Sequence, residues 1–290
     1  MAGDFDEVTY LAVFSFFPIT KLIISGIMSI KELLPHFKFK KENLPGYREI
    51  LIFALFMVFY KYSRYIAIGD EGTAFQNAYL IIEWEKMLGI YSEIAWQQFV
   101  IDHTVLIKWV NEFYMRIHLP STIIFFIWLF HYKRPYYFFI RNGFLIANII
   151  TLFIFIGFPC APPRMLNELG FVDTLLTISE IDLYEGKLSE LFNQYAAVPS
   201  MHFGNALLIS LVCLILSKNT WIKFGSFIYP VFVLWMIVIT GNHFFLDAVF
   251  GGIVVLAPYP FMWMAAKLFP SWEWLSEGPS SQRKASVSMK

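Results

Sequence analysis

The chain is organised around the segment Tyr195-Ala196-Ala197-Val198-Pro199-Ser200-Met201-His202-Phe203-Gly204-Asn205, which leads into an apolar run of membrane-spanning length. A second segment, Gly241-Asn242-His243-Phe244-Phe245-Leu246-Asp247, stands between two further apolar runs. Each segment places a histidine at the start of a hydrophobic helix, and an aspartate lies one helical turn after the second histidine. We expect the rest of the chain to be the scaffold that brings the two histidines together.

The composition indicates a membrane protein. Of the 290 residues, 58% are hydrophobic and only 15% are charged, whereas a soluble domain carries about 25% charged residues. Several apolar runs have the length of about 20 residues that a spanning helix needs. The predicted fold class is all-α: a polytopic membrane bundle of six core transmembrane helices with an additional N-terminal one.

Charge and cysteine content exclude other classes. The net charge is zero, so the chain lacks the basic surface typical of nucleic-acid-binding proteins, and we expect no nucleic-acid partner. Cys160 and Cys213 form neither a disulfide framework nor a metal-binding spacing. We therefore expect no metal and no cofactor.

The hydropathy pattern divides the chain into three regions. Residues 1–107 hold the N-terminal span or spans and interfacial helices, residues 108–268 the catalytic core, and residues 269–290 a disordered cytoplasmic tail. The segment 8–30 is interpreted as a span, although an interfacial helix pair also fits it. The other predicted spans are 50–68, 108–131, 143–158, 201–217, 222–241 and 246–267.

The loops between the spans alternate in charge. The basic loops are 31–48, 132–141, 218–223 and the tail, and the acidic loops are 70–102 and 159–199. Lys and Arg concentrate on the cytoplasmic side of membrane proteins, so the acidic loops face the lumen, the periplasm or the exterior. This topology brings Arg164, His202 and His243 to the non-cytoplasmic face.

The two histidine segments carry the parts of a phosphoryl-transfer site. Asp247 follows His243 by four residues, so its carboxylate can fix the imidazole tautomer and leave the other ring nitrogen as a nucleophile. Ser200 is a suitable N-cap for the helix that carries His202. The first amides of such a helix bind phosphate.

Further polar residues are candidates for substrate binding. Arg164 follows two prolines, and a guanidinium group matches a phosphate in a bidentate manner. Asn242 directly precedes His243. Arg116 and His118 lie in a predicted span, where ionisable residues are functional by default, but packing against a backbone carbonyl is an equal alternative for them.

The motifs resemble those of a known family. Pro199-Ser200-Met201-His202 and Gly241-Asn242-His243-Phe244-Phe245-Leu246-Asp247 are similar to the second and third signature motifs of the type 2 phosphatidic acid phosphatase superfamily. The stretch Phe158-Pro159-Cys160-Ala161-Pro162-Pro163-Arg164 is more similar to the inositol phosphorylceramide synthase branch. The resemblance covers about residues 110–265.

The resemblance implies a metal-independent phosphohistidine mechanism on a six-helix core. His243 would be the nucleophile, Asp247 its orienting partner and His202 the general acid. The chain departs from the superfamily at two cationic positions. Ile237 stands where the third motif usually has an arginine, and Arg164 is the one cation at the place of the first motif.

These observations predict an integral membrane lipid phosphotransferase or phosphatase. The favoured reaction is transfer of a phospho-headgroup from a phospholipid donor to a lipid hydroxyl, with a ceramide-like or other lipid acceptor. The alternative is hydrolysis of phosphatidic acid or a polyprenyl phosphate. A non-enzymatic lipid-binding or transport bundle is the third interpretation.

Overall fold

The computed structural model of the chain describes residues 46–66, 69–183 and 193–268. The predicted span at 8–30 and the predicted tail at 269–290 lie outside the described residues. Within the described ranges the regular structure is helical, apart from one isolated β-bridge between Cys160 and Ala196. The predicted all-α class is therefore confirmed.

The described helices follow one another with short connections, except between α6 and α8, where α7 and residues outside the described ranges lie. The helices are α1 (Gly46–Ile66), α2 (Glu71–Leu88), α3 (Glu93–Val100), α4 (Thr104–Glu112), α5 (His118–Tyr132), α6 (Arg134–Gly157), α7 (Thr174–Thr177), α8 (Met201–Leu216), α9 (Thr220–Ile239), α10 (Phe245–Leu256) and α11 (Pro258–Leu268). A π-helical turn, Phe113–Ile117, joins α4 to α5. The prediction of a basic loop at 132–141 is wrong over most of its length, because α6 begins at Arg134, with a proline in its first turn.

Three described helices are long and apolar enough to cross a membrane: Arg134–Gly157, Thr220–Ile239 and the combined segment Phe245–Ala265. The pair Thr104–Ile117 and Pro120–Tyr132 passes the same test together but is bent by 46°. The sequence predicted one continuous span at 108–131 here. The π-turn and Pro120 explain the difference, since both interrupt the regular hydrogen-bond ladder of a helix. The count of six core helices remains a prediction.

Helix α8 lies at the centre of the bundle and packs against α9 and α10. Gly204 of α8 permits this approach, because a Cβ atom built on it would lie 2.8 Å from the carbonyl oxygen of Gly251 in α10. The backbone amide of Ser200 also donates to the carbonyl oxygen of Asp247 at 2.8 Å. The two histidine segments are thus joined at the start of both helices.

Helices α2 and α3 bury one face and expose the other. Met87 and Phe99 are each 82% exposed, and Trp96 is 47% exposed. Acidic helices with exposed aromatic and apolar side chains are typical of the membrane interface. The buried face of α2 packs on the loop after α6 and on the start of α10.

Candidate active site

The turn between α9 and α10 holds His243. Gly241 adopts a φ of +69°, a left-handed conformation that favours glycine. The amides of Asn242 and His243 both donate to the carbonyl oxygen of Ile237, at 3.0 and 3.1 Å. The backbone of α9 therefore fixes the turn directly before the catalytic candidate. Ile237 itself is fully buried in the main apolar cluster.

The hydrogen bonds of His243 define its tautomer. Nδ1 lies 2.9 Å from the carbonyl oxygen of Ala197 and 3.3 Å from Oδ2 of Asp247. A carbonyl oxygen only accepts hydrogen bonds, so the neutral imidazole carries its proton on Nδ1. Nε2 then holds a lone pair. The ring is 5% exposed, and Asp247 is fully buried beneath it.

His202 lies beside His243. Their ring centroids are 5.7 Å apart, although the two residues belong to different helices. Ser200 caps α8 by accepting from the amide of Phe203 at 3.5 Å, which places His202 in the first turn. Tyr114 stacks on the His202 ring with a centroid distance of 4.3 Å. The structure therefore brings together the two histidines that the sequence singled out.

Arg164 joins this group from the loop after α6. Its amide donates to the carbonyl oxygen of Gly241 at 2.7 Å, and its Nη1 donates to Oδ1 of Asn242 at 2.6 Å. Its Nε lies 3.6 Å from a carboxylate oxygen of Asp173. The guanidinium group is thus held rigidly next to the His243 turn, with its side chain almost fully buried.

Arg116 and His118, the two candidates in the predicted span 108–131, lie in different environments. His118 is buried with its ring centroid 4.9 Å from that of His202, and its Nδ1 lies 3.1 Å from the hydroxyl of Tyr229. Arg116 has an exposed side chain that forms a salt bridge with Glu112 at 2.6 Å. His118 therefore belongs to the group around His202, whereas Arg116 is an exposed ion-pair partner.

A cavity of about 280 Å³ opens beside Arg164 and Asp173. Its other lining residues mix polar and apolar side chains: Glu71, Phe75, Met165, Asn167, Leu176, Gln194 and Tyr195. Within the described residues, no group of three or more His, Cys, Asp or Glu side chains has the arrangement of a metal site. The cavity has the size of a small polar headgroup, near the lower end for ligand pockets.

A family model described as the PAP2 superfamily matches residues 80–261, which is more than half of the chain. The chain belongs to the PAP2 superfamily. No curated protein and no solved structure matches it. Membership of the PAP2 superfamily, together with the apolar helices, makes the chain an integral membrane enzyme of the phosphatase or phosphotransferase type that acts on lipid phosphates. This confirms the resemblance at the level of the superfamily and argues against a non-enzymatic bundle.

Two acidic residues within the PAP2 match were not predicted as part of the site. Glu85 of α2 accepts from the amide of Leu246 at 2.7 Å, and Glu93 of α3 accepts from the amide of Phe245 at 3.0 Å. Asp247 itself accepts from the amide of Phe244 at 2.9 Å. A different carboxyl group therefore receives the amide of the N-cap residue Phe244 and each of the first two amides of α10.

Burial and the neighbouring carboxyl group of Glu93 raise the pKa of Glu85 well above its ordinary range. Both glutamates are fully buried. Oε2 of Glu85 meets no donor among the described residues, and the side chains of Glu85 and Glu93 are close enough to interact directly. The raised pKa favours a protonated Glu85 carboxyl group, which can donate a hydrogen bond to Glu93.

A sequence signal for Glu85 exists. Ala74, Ala78, Ile81 and Glu85 follow one another at intervals of four, three and four residues, which is the spacing of one helix face. The first three are apolar and buried. A carboxylate on an otherwise apolar stripe must find a partner in the interior. By its position alone, Glu85 belongs to the acidic segment 70–102, whose charge predicts a side of the membrane and not a site.

Proposed function

We propose that the chain transfers a phospho-headgroup between lipids through a phosphohistidine at His243. Nε2 attacks the phosphorus atom of a phospholipid, and the bond between phosphorus and the glycerol oxygen breaks as His202 donates a proton to that oxygen. The Nδ1 contacts of His243 with Ala197 and Asp247 support this role. They hold the protonated Nδ1 on the side of Asp247, so the lone pair of Nε2 points to the opposite side of the ring. This arrangement is the observation that carries the proposal.

In the second half of the reaction His202 acts as the base. It removes the proton from an acceptor hydroxyl, the hydroxyl oxygen attacks phosphorus, and the bond between phosphorus and Nε2 of His243 breaks. The separation of 5.7 Å between the ring centroids allows one phosphoryl group to contact both rings. The neutral form of His243 is regenerated with its proton still on Nδ1.

The phosphate oxygens would be bound by Arg164 and by the first amides of α8. Arg164 uses one N–H group to hold Asn242, and a guanidinium group has five donors in a planar fork. Ser200 caps the helix and fixes the direction of its amides towards the site. Arg164 thereby takes the place of the superfamily cations that this chain lacks. His118 would pack against the ring of His202 and hold it in place.

The favoured reaction is transfer of inositol phosphate from phosphatidylinositol to a ceramide-like acceptor. The resemblance of the Phe158–Arg164 stretch to inositol phosphorylceramide synthases supports it. The mixed lining of the cavity beside Arg164 also supports it, because Glu71, Asn167 and Gln194 offer hydrogen-bonding groups to a hydroxyl-rich headgroup. The near-complete burial of His243 and Asp247 limits the access of water to phosphorus. Hydrolysis of phosphatidic acid or a polyprenyl phosphate is the competing reaction.

The remaining features of the proposal concern the membrane. The active site would face the non-cytoplasmic side, because the acidic loops 70–102 and 159–199 flank it. Residues 108–268 would form the catalytic core, with residues 1–107 adding the N-terminal spans and interfacial elements. The mechanism needs no metal, since histidine, arginine and helix amides provide the nucleophile, the acid and the anion site.

The test uses purified full-length protein in mixed micelles with EDTA. It is given phosphatidylinositol labelled in the inositol ring, with and without a fluorescent ceramide, and in parallel phosphatidic acid and a polyprenyl phosphate. A doubly labelled lipid that forms only with ceramide supports transfer. Release of inositol phosphate or of inorganic phosphate, independent of ceramide, would show that the reaction is hydrolysis and not transfer.

The variants His243→Ala and His202→Ala serve as chemical controls. Acid-sensitive labelling of the protein by donor phosphate should occur in the wild type but not in His243→Ala. In His202→Ala, which has no general acid, labelling should occur when the donor lipid carries a better leaving group. Labelling or turnover that survives in His243→Ala would overturn the phosphohistidine mechanism. Turnover that disappears with EDTA and returns with a divalent cation would overturn metal independence.

A further inference from the structure

The start of α10 is held from outside by two helices that precede it by about 150 residues in the chain. Leu246 donates to Glu85 across 161 positions, and Phe245 donates to Glu93 across 152 positions. Both amides belong to the first turn, where a helix has no acceptors of its own. Asp247, the partner of His243, stands in that same turn.

Helix α3 also binds the other side of the His243 turn through Gln97. Gln97 lies one turn after Glu93, and its Nε2 donates to the carbonyl oxygen of Ile239, the last residue of α9, at 3.2 Å. Its amide oxygen accepts from Val172 at 2.8 Å, so the loop that follows Arg164 is tied to the same side chain. One face of α3 therefore contacts the end of α9 and the beginning of α10.

We propose that Glu85 and Glu93 are positioning residues of the reaction, which cap α10 from α2 and α3 and thereby hold His243 against Ala197 and Asp247. This inference rests on the proposed function. The shared proton lets both carboxyl groups approach the same helix end without a second full negative charge beside Asp247. Asp247 and Tyr91 are further titratable groups at the pair. Burial and the charges of Glu93 and Glu85 raise the pKa of Tyr91.

Two substitutions of Glu85 separate reach from charge. Glu85→Gln keeps the length of the side chain: its carbonyl oxygen can accept from Leu246, and its amide can donate to Glu93 in place of the shared proton. Glu85→Asp keeps the carboxyl group but is one methylene shorter and withdraws the acceptor. We expect Glu85→Gln to stay within about threefold of the wild-type kcat and Glu85→Asp to lose about tenfold or more, with KM unchanged in both.

The matched control is Glu83, an exposed glutamate on the same helix. Glu83→Gln and Glu83→Asp should leave kcat and KM at the wild-type values. A Glu85→Asp enzyme as active as wild type, or a Glu85→Gln enzyme as impaired as Glu85→Asp, would overturn the inference. Thermal unfolding of each variant in the same detergent separates a loss of positioning from a loss of folded protein.

Hydrogen–deuterium exchange provides a readout that does not depend on turnover. The peptide that covers residues 244–250 should exchange faster in Glu85→Asp than in Glu85→Gln, while peptides from α9 remain unchanged. If the wild type turns over no lipid phosphate, the proposed function fails, and the exchange rates still decide whether Glu85 caps α10. Equal exchange in the two variants rejects the cap irrespective of activity.

Discussion

The backbone amide of Ser200 donates to the carbonyl oxygen of Asp247 at 2.8 Å, so the N-cap of the helix that carries His202 is bonded to the first turn of the helix that follows His243. This bond sets the spacing of His202 and His243 without using a side chain. It also requires that α8 and α10 approach closely, and Gly251 lies where that approach is tightest. A Cβ atom built on Gly251 would collide with the backbone of Ser200.

Gly251→Ala is therefore expected to push α10 away from α8. Overpacking of this kind destabilises a protein by about 1–3 kcal/mol. We expect kcat to fall by more than the loss of folded protein explains, because the shift of α10 moves His243 away from His202. Gly225→Ala is the control, since a Cβ atom there meets nothing within 4 Å and alanine favours a helix. Thermal unfolding and kcat of both variants give the comparison. A fully active Gly251→Ala enzyme would contradict the proposed role of this contact.

Asp247→Asn tests the orientation of the nucleophile. The amide oxygen of asparagine can still accept from Phe244, so α10 should remain capped, but the negative charge next to Nδ1 of His243 is lost. We expect kcat to fall by about 10²–10⁴-fold, the range for groups that orient or exchange protons in catalysis. The rate of protein phosphorylation should fall in parallel. An unchanged rate would show that Ala197 alone orients the ring.

Arg164→Lys tests the phosphate site. Lysine keeps a positive charge but cannot bond Asn242 and a phosphate oxygen simultaneously in a fixed plane. We expect kcat/KM to fall by about tenfold to a hundredfold. Arg48→Lys, at an exposed arginine in the first turn of α1, is the control and should match wild type. Equal activity of Arg164→Lys and wild type would leave Arg164 with a purely charge-based role.

The pKa of Glu85 predicts a dependence of stability on pH. A carboxyl group whose pKa is raised in the folded state binds a proton that the unfolded state releases above its ordinary pKa of 4.5. Folding stability therefore decreases as the pH rises from this value towards the raised pKa. Glu85→Gln has no such proton, so its melting temperature relative to wild type should increase between about pH 6 and pH 9. A constant difference would contradict a protonated Glu85.

The local parts of the site could be predicted from the sequence. The spacing of His243 and Asp247 and the cap at Ser200 depend on residues within one helical turn, and both features are present in the structure. The start of α8 at Met201 and its end at Leu216 also follow from the apolar run and its cap. Such features need no knowledge of which helices become neighbours.

The non-local parts could not be predicted in the same way. Glu85 acquires its role only because α2 packs on the start of α10, and no periodicity in α2 identifies its partner. His118 and Arg116 are two residues apart and cannot share a helix face, but which of the two lies beside His202 depends on how the bent helix pair packs in the bundle. A pattern based on regular helices cannot anticipate where a helix widens.

Much of the frame around the two histidines consists of main-chain groups. The carbonyl oxygens of Ala197, Gly241 and Asp247 and the amide of Ser200 make contacts that do not depend on the identity of their side chains. Evolution can therefore exchange the neighbouring side chains, and with them the preferred lipid, without rebuilding the catalytic geometry. Proline at Ser200 would remove the amide hydrogen that the carbonyl oxygen of Asp247 accepts, and a side chain at Gly251 would collide with the backbone of Ser200. An engineer who wants a new acceptor has the same freedom and the same constraints at Ser200 and Gly251.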